Sequence, residues 1–408
     1  MAVGYNISQE KFWEPVSKTI SHLKLRASYG LVGNDGISER YAYLEDITLE
    51  SSDWQYVFGV SQNVTLKGPI WNRFYNPNLT WEVGKKFNVG FDMQLFGNLN
   101  VNVDYFKEIR DKIFMQKVNT LPVFVGTSTT KIYENIGKMK NQGIDIAIDY
   151  NRQFTKNFYM SFKGTFTYAH NTVLKRDEPP FRLYPNLSTV GSSLDRNLVY
   201  VADGLFVDQV DVDNHAEQTL GYIPMPGDIK YVDQPDANGN CDNIIDANDR
   251  VYMGHPNTPE IVYGFGPSMK YKNWDFSFFF QGVARTSLLM SGFHPFGKNA
   301  TRGVMEFIAD NYWSESNPNP NAAYPRLTRD SNANNEAASS FWLRNGAFLK
   351  LKNAEVGYTF KMFRAYLSGS NLLTFSPFKH WDPEMGGGNG MKYPTQRVFN
   401  FGVQFTFK

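Results

Sequence analysis

Val398-Phe399-Asn400-Phe401-Gly402-Val403-Gln404-Phe405-Thr406-Phe407-Lys408 closes the chain and decides how the rest is read. Phe399, Phe401, Val403, Phe405 and Phe407 share one parity, and Asn400, Gly402, Gln404, Thr406 and Lys408 take the other. Side chains on a strand alternate between faces, so this strand has one aromatic face and one polar face. A soluble sheet would turn the aromatic face inward to a core, whereas a transmembrane barrel would turn it outward to lipid.

The same alternation recurs upstream. Leu23, Leu25, Ala27 and Tyr29 form one apolar row, and Phe87, Val89, Phe91, Met93 and Leu95 form the next. Further rows follow at Leu99–Tyr105, Ile144–Tyr150, Phe158–Tyr168, Ile261–Met269 and Trp274–Phe280. From Ala347 to Phe360 the apolar parity shifts, which predicts a β-bulge near Lys352-Asn353. A strand from Phe363 to Phe375 precedes the closing one. Met1 to Ile7 reads as the tail of an earlier strand. Ser8 to Ile20 reads as a short helix with Ser8 as N-cap, and a hairpin is expected near Trp54 to Leu66.

Connections alternate between tight turns and long loops. Turns are expected at 97–98, 153–156, 272–273 and 361–362. Large loops are expected at about 34–79, 171–258 and 291–345, with one of roughly 25 residues between Tyr105 and Ile144. Short periplasmic turns opposite long extracellular loops are the pattern of an outer-membrane barrel. The reading is therefore all-β, an antiparallel transmembrane β-barrel portion of about ten spanning strands. Asp92, Asp104, Asp145, Asp149 and Lys163 lie mid-strand on the polar parity, where a water-filled or plugged lumen accepts charge and lipid does not.

The totals fit. The 408 residues include 33 Phe, 23 Tyr and 33 Gly, a composition that favours strands and turns. A formal net charge of +1 gives no field suited to nucleic acid. One cysteine, Cys241, excludes an intramolecular disulfide framework. No apolar run reaches the roughly 18 residues of a transmembrane helix, and the mean hydropathy of -0.42 hides any barrel signal in alternation. The N-terminus has no charged segment followed by an apolar one, so an export signal is expected upstream of Met1.

Several ordered stretches resemble the SusC/RagA-type TonB-dependent outer-membrane transporters. They are Leu23-Lys24-Leu25-Arg26-Ala27-Ser28-Tyr29-Gly30 with Gly33-Asn34, Asn76-Pro77-Asn78-Leu79-Thr80-Trp81-Glu82 and Asn141-Gln142-Gly143-Ile144-Asp145. Phe348-Leu349-Lys350-Leu351-Lys352-Asn353, Ser370-Asn371-Leu372 and Tyr393-Pro394-Thr395-Gln396-Arg397 continue the match. The resemblance implies a barrel of about 22 strands behind a plug domain and a TonB-box region. On that reading residues 1–408 are the C-terminal part of the barrel, without plug or signal peptide. It implies uptake of an oligosaccharide, or a peptide, with a SusD-like surface lipoprotein and the TonB complex as partners and outer-membrane lipid around the wall. It implies the outer membrane of a Gram-negative, Bacteroidetes-like cell. A self-contained ten-strand porin, a surface protease and a soluble cell-surface β-protein are the other readings. The protease would need a rim Asp/His set, for which Asp382 with His380 is the nearest pair.

One local motif carries metal chemistry. Counting Asn238 as position one, Asn238, Asn240, Asp242, Asp246 and Asp249 place side-chain oxygens at 1, 3, 5, 9 and 12, with the Ile244 carbonyl at 7. Those are the ligand positions of an EF-hand-type Ca²⁺ loop, and a structural Ca²⁺ is expected there, with no cofactor required otherwise. Asn at position 1, Asn243 at position 6 and the short Asp249 at position 12 depart from the pattern. Asn243 is expected to keep the turn through left-handed geometry, Ile245 to anchor the loop, and Asp233 and Asp236 to compensate. Trp54, Trp71, Trp313, Trp342 and Trp381 read as loop-packing aromatics ahead of a sugar platform. The six histidines (His22, His170, His215, His255, His294 and His380) have no metal spacing, and no catalytic motif is present, so no enzyme is expected.

Overall fold

The structure, a computed structural model, describes all residues except 38, 118–129, 179–182, 293–302 and 408. His294 and Lys408 lie outside the described residues. One antiparallel sheet of eleven strands dominates, and each strand pairs with the next in chain order. The strands are β1 (Ala2–Asn6), β2 (Ile20–Asn34), β3 (Glu82–Leu95), β4 (Leu99–Lys117), β5 (Ile132–Thr155) and β6 (Phe158–Lys175). They continue as β7 (Ile261–Tyr271), β8 (Trp274–Ala284), β9 (Phe348–Phe360), β10 (Phe363–Phe375) and β11 (Val398–Phe405). The expected ten strands are all present, and the tail at the N-terminus is the eleventh, a five-residue piece. Outer strands β1 and β11 are not paired with each other.

Register keeps the apolar rows together. Ile148 pairs with Gly164 and Gly164 with Phe265, while Leu367 pairs with Phe401 and Val356 with Leu367. The result is one continuous apolar face. The turns at Phe96-Gly97, Lys272-Asn273 and Lys361-Met362 use positive φ at Phe96, Lys272 and Lys361, the geometry that matches strand twist in two-residue hairpins. The bulge falls where the parity shift puts it. Asn353 and Leu351 pair with the adjacent Phe279 and Phe280 of β8, which leaves Lys352 over.

Four expectations are corrected. The Ser8–Ile20 segment is not an α-helix but two 3₁₀ turns, Ile7–Gln9 and Lys11–Val16. Pro15 inside the second removes a backbone donor and clashes with an α-helical turn. Ser8 caps nothing; its hydroxyl lies 3.5 Å from His22 Nδ1. The connection after Tyr105 is 118–131, shorter than expected, because β4 and β5 run on together well past the apolar band. The large loops run over 35–81, 176–260 and 285–347, a few residues from the expected bounds, and the last is longer than expected because β8 stops at Ala284 and β9 starts at Phe348. The hairpin near Trp54 is longer than expected, pairing Asp46–Phe58 with Val64–Arg73.

The buried core lies in the loops, not in the wall. Tyr200, Leu205, Ile229, Tyr231, Ile245, Met290, Ile308, Trp313, Tyr324 and Trp342 form one cluster contributed by the two long loops. The wall's apolar row is uncovered instead, with Phe401 at 75% and Phe405 at 61% exposure.

Candidate functional site

The polar face of the wall is organised by two arginine clamps. Arg26 donates to both carboxylate oxygens of Asp104 at 3.0 and 2.9 Å and to Asp92 at 2.8 Å. At the other side of the sheet Arg364 donates to Glu355 at 2.6 Å and through Nε to Asp275 at 2.9 Å. Each clamp crosses a glycine. A Cβ on Gly90 would sit 2.4 Å from Asp104 Oδ1, and one on Gly357 would sit 2.4 Å from Arg364 Nη2. The acids that the sequence assigned to this face are thus placed on it. Asp92 and Asp104 share Arg26, Asp149 faces Lys163 at 3.8 Å, and Asp145 stands opposite Asp104. Charges paired this way suit a water-facing lumen and would be costly in lipid.

Towards the long-loop end the polar face opens into a cavity of about 410 Å³. Glu108, Asn141 and Asn171 form a row across β4, β5 and β6, one residue from each strand. Arg110 and Met139 extend the floor, and Leu194, Thr258, Pro259 and Glu260 come from the loop above. Arg110 holds Glu82 at 3.2 Å and Glu108 at 3.1 Å. Glu260 is 4% exposed and meets His170 Nδ1 at 2.5 Å and Arg285 Nε at 2.6 Å. Burial works to raise the Glu260 carboxyl, but hydrogen bonds from Arg285 and His170 outweigh it and leave it below its ordinary range. It stays an anion that ties the loop to the wall. The cavity offers amide, hydroxyl and paired-charge groups beside Met139 and Leu194, a surface able to hold a polar ligand of mixed character. Sequence reading did not find it, since the strands were ended where the apolar rows end.

The Ca²⁺-type loop is folded as a set of backbone caps. Asp246 accepts from Asn248 N at 2.7 Å, Asp249 from Gln234 N and Asp246 N at 2.7 Å, and Asp242 from Ile244 N at 2.9 Å. Asn238 and Asn240 donate backbone N–H to Asp236 at 2.8 and 3.0 Å, so the side chain of Asp236 gathers the start of the loop. Asn243 has φ 60°, and Ile245 is fully buried in the loop core, both as expected. Burial raises the Asp249 carboxyl, with Asp233 and Asp246 adding repulsion against the two N–H donors. Asp233 Oδ1 is buried without a hydrogen-bond partner. Among the described residues no group of three or more His, Cys, Asp or Glu side chains is arranged to hold a metal ion.

His380 and Asp382 are drawn to different partners. His380 sits among Phe307, Phe378 and Trp381 with Nε2 3.3 Å from the Tyr324 hydroxyl. Burial, then repulsion from Arg344, lowers its pKa. Asp382 instead binds Lys350, which is fully buried and also meets Glu384 at 2.5 Å. Trp342 donates to Asn335 O at 2.7 Å and Trp381 to Gly386 O at 2.9 Å inside the loop packing. Trp313 is buried beside them, whereas Trp54 and Trp71 are exposed on the projecting hairpin.

An antiparallel meander with an uncovered apolar face, a charged opposite face and all long loops at one end is an outer-membrane barrel wall. Comparison with known proteins places it further. Residues 12–372 match the family described as TonB dependent receptor-like, beta-barrel, and the chain belongs to that family. It is 27% identical over 442 residues to TonB-dependent receptor P3 of Formosa agariphila, covering 100% of this chain and 41% of that protein. It is 26% identical over 435 residues to TonB-dependent receptor SusC of Bacteroides thetaiotaomicron, covering 100% of this chain and 40% of the relative. The RagAB peptide transporter structure shares the fold at TM-score 0.71 and 22% identity, over 100% of this chain and 43% of that one. The chain thus spans about two fifths of the length of these relatives, and its place is the outer membrane.

Proposed function

We propose that residues 1–408 are the C-terminal part of the barrel of a TonB-dependent importer, and that they line a lumen and build the surface loops that first capture a nutrient. The observation that carries this is the cavity between Glu108, Asn141 and Asn171 of the wall and Glu260 of the loop, which opens on the charged face below the long loops. The ligand is an oligosaccharide or a peptide, the two classes that the resemblance to SusC/RagA-type transporters implies; the second is also that of the structurally similar RagAB peptide transporter. Energy comes from TonB across the periplasm, and a SusD-like surface lipoprotein works above the loops. The Asn238–Asp249 loop takes a structural Ca²⁺, supported by the unpartnered buried Oδ1 of Asp233 just upstream and by the left-handed Asn243.

The reading is tested by deleting the full-length gene and growing the strain on defined oligosaccharides and on defined peptides as sole carbon sources. Growth should fail on one class and return with the wild-type gene. Complementation with Arg110→Ala should be partial, because Glu82 and Glu108 lose their shared cation. Unimpaired growth of the deletion strain on every substrate of both classes would overturn the uptake reading.

A further inference from the structure

The short-turn end of the sheet carries cations that no carboxylate among the described residues balances. The turns β5–β6, β7–β8 and β9–β10 each present a lysine, namely Lys156, Lys272 and Lys361. Arg152 lies two residues before Phe154 on the apolar parity of β5 and faces Met160 of β6. Three of these cations rest on aromatic rings. The Arg152 guanidinium is 5.2 Å from the Phe154 centroid, the Lys272 ammonium 5.6 Å from Tyr271, and the Lys361 ammonium 5.5 Å from Phe360.

The rings are part of a belt. Tyr150, Phe154, Phe158 and Tyr271 touch in sequence around β5–β7, with centroids 5.4 to 6.4 Å apart. Trp274 continues it to Tyr358, and Phe360, Phe363 and Phe405 complete it across β9–β11. In an outer-membrane wall such a belt marks the headgroup level. Arg152, Lys156, Lys272 and Lys361 are all exposed, and none forms an ion pair with a described residue. The polar face behaves differently, since Arg26 and Arg364 there each hold two carboxylates.

A cation held at headgroup level, backed by a ring and left without an anion among the described residues, is complementary to a phosphate. We propose that this rim binds anionic phospholipid of the leaflet at the short-turn end, with Arg152, Lys272 and Lys361 as the phosphate contacts. The occupant is a lipid because Arg152 belongs to the lipid-facing row of the wall and the Lys272 and Lys361 ammoniums rest on Tyr271 and Phe360, rings of that same row. Lys156, at the tip of its turn, widens the positive field. The rim fixes the height of the wall in the membrane and gives it a preferred lipid shell.

The test uses the full-length protein in nanodiscs of mixed phosphatidylglycerol and phosphatidylcholine, with the lipid retained after mild detergent extraction counted by mass spectrometry. Wild type should retain phosphatidylglycerol in excess. Arg152→Gln/Lys272→Gln/Lys361→Gln should lower that excess at least about five-fold, the factor expected for one surface cation. Arg152→Lys/Lys272→Arg/Lys361→Arg should keep it. If the glutamine variant does not assemble, the wild-type excess measured at rising salt decides, because a headgroup contact fades as charges are screened. Equal retention of the two lipids by wild type, an undiminished excess in the glutamine variant or a salt-independent ratio would overturn the proposal.

Discussion

Phe401 in the wall is 75% exposed, whereas Tyr231 in the long loop is fully buried, though both are large aromatics. Around Phe401 the apolar row continues through Leu367 to the next strand and meets no second layer. Around Tyr231 lie Ile229, Ile245, Tyr200 and Trp342, and its hydroxyl donates to Asn334 O at 2.6 Å. Burial pushes that phenol well above its ordinary pKa. The wall is held by backbone pairing and by lipid around it, while the loops are held by a water-excluding core of the ordinary kind. One chain therefore solves for two solvents. A substitution should do opposite things on the two sides.

The largest effect is expected at the centre of the loop core. Asp228 is fully buried and accepts from Arg326 at 2.7 Å, Asn332 at 3.0 Å and Asn335 at 2.8 Å. Asp228→Ala leaves Arg326 uncompensated and should cost about 3–5 kcal/mol of loop stability. Hydrogen exchange should show 176–260 and 303–347 losing protection together while the wall keeps its own. Loss of wall protection to the same degree would erase the contrast between the two regions.

The next effect belongs to the wall. Leu367→Arg, on the apolar row, should cost about 2–4 kcal/mol if it lies near the bilayer centre, measured by urea unfolding in lipid vesicles. Ser368→Arg, one residue on and facing the lumen, should cost far less. Equal costs would break the assignment of faces.

A smaller change follows acidification. Burial works to raise Asp382 and Glu384, but hydrogen bonds from Lys350, with Lys352 added at Glu384, outweigh it and hold both low. Carboxyls depressed in the folded state give stability that is complete above their unfolded values and is lost as pH falls through the folded ones. The 376–397 loop should therefore stay docked at neutral pH and loosen only below about pH 4. Limited proteolysis across pH measures it, and release near neutral pH would contradict the pairing. Asp249 should act in the opposite sense: raised by burial, it favours folding more as pH drops through its value.

The smallest effect concerns Ca²⁺. Binding at ten times Kd would stabilise the loop by about 1.4 kcal/mol. Isothermal titration should show binding by wild type and loss in Asp242→Ala/Asp246→Ala; equal binding by both would remove the metal from the loop.

Much of the wall was legible because facing follows from backbone geometry alone. Phe87 to Leu95 or Phe399 to Phe405 state their own parity, and the Leu351-to-Ala354 shift states its bulge. What failed was where strands stop. β4 and β5 lose their apolar alternation after Tyr105 and before Ile144, yet their backbones keep pairing as far as Lys117 with Ile132. The candidate cavity lies in that polar extension, so Glu108, Asn141 and Asn171 carried no signal of burial or grease. The 3₁₀ turns near Pro15 were a local conflict in which a proline outweighed a plausible cap.

The sequence by itself determined the period-two wall, because facing depends on neighbours two residues apart, and the lipid side and tight-turn end, because short turns and long loops alternate along the chain. Only tertiary structure decided the rest. Asp228 meets Arg326 across 98 positions, Arg26 meets Asp104 across 78, and Glu260 meets His170 across 90. Such contacts are set by loop closure and packing between distant segments, which no local pattern encodes.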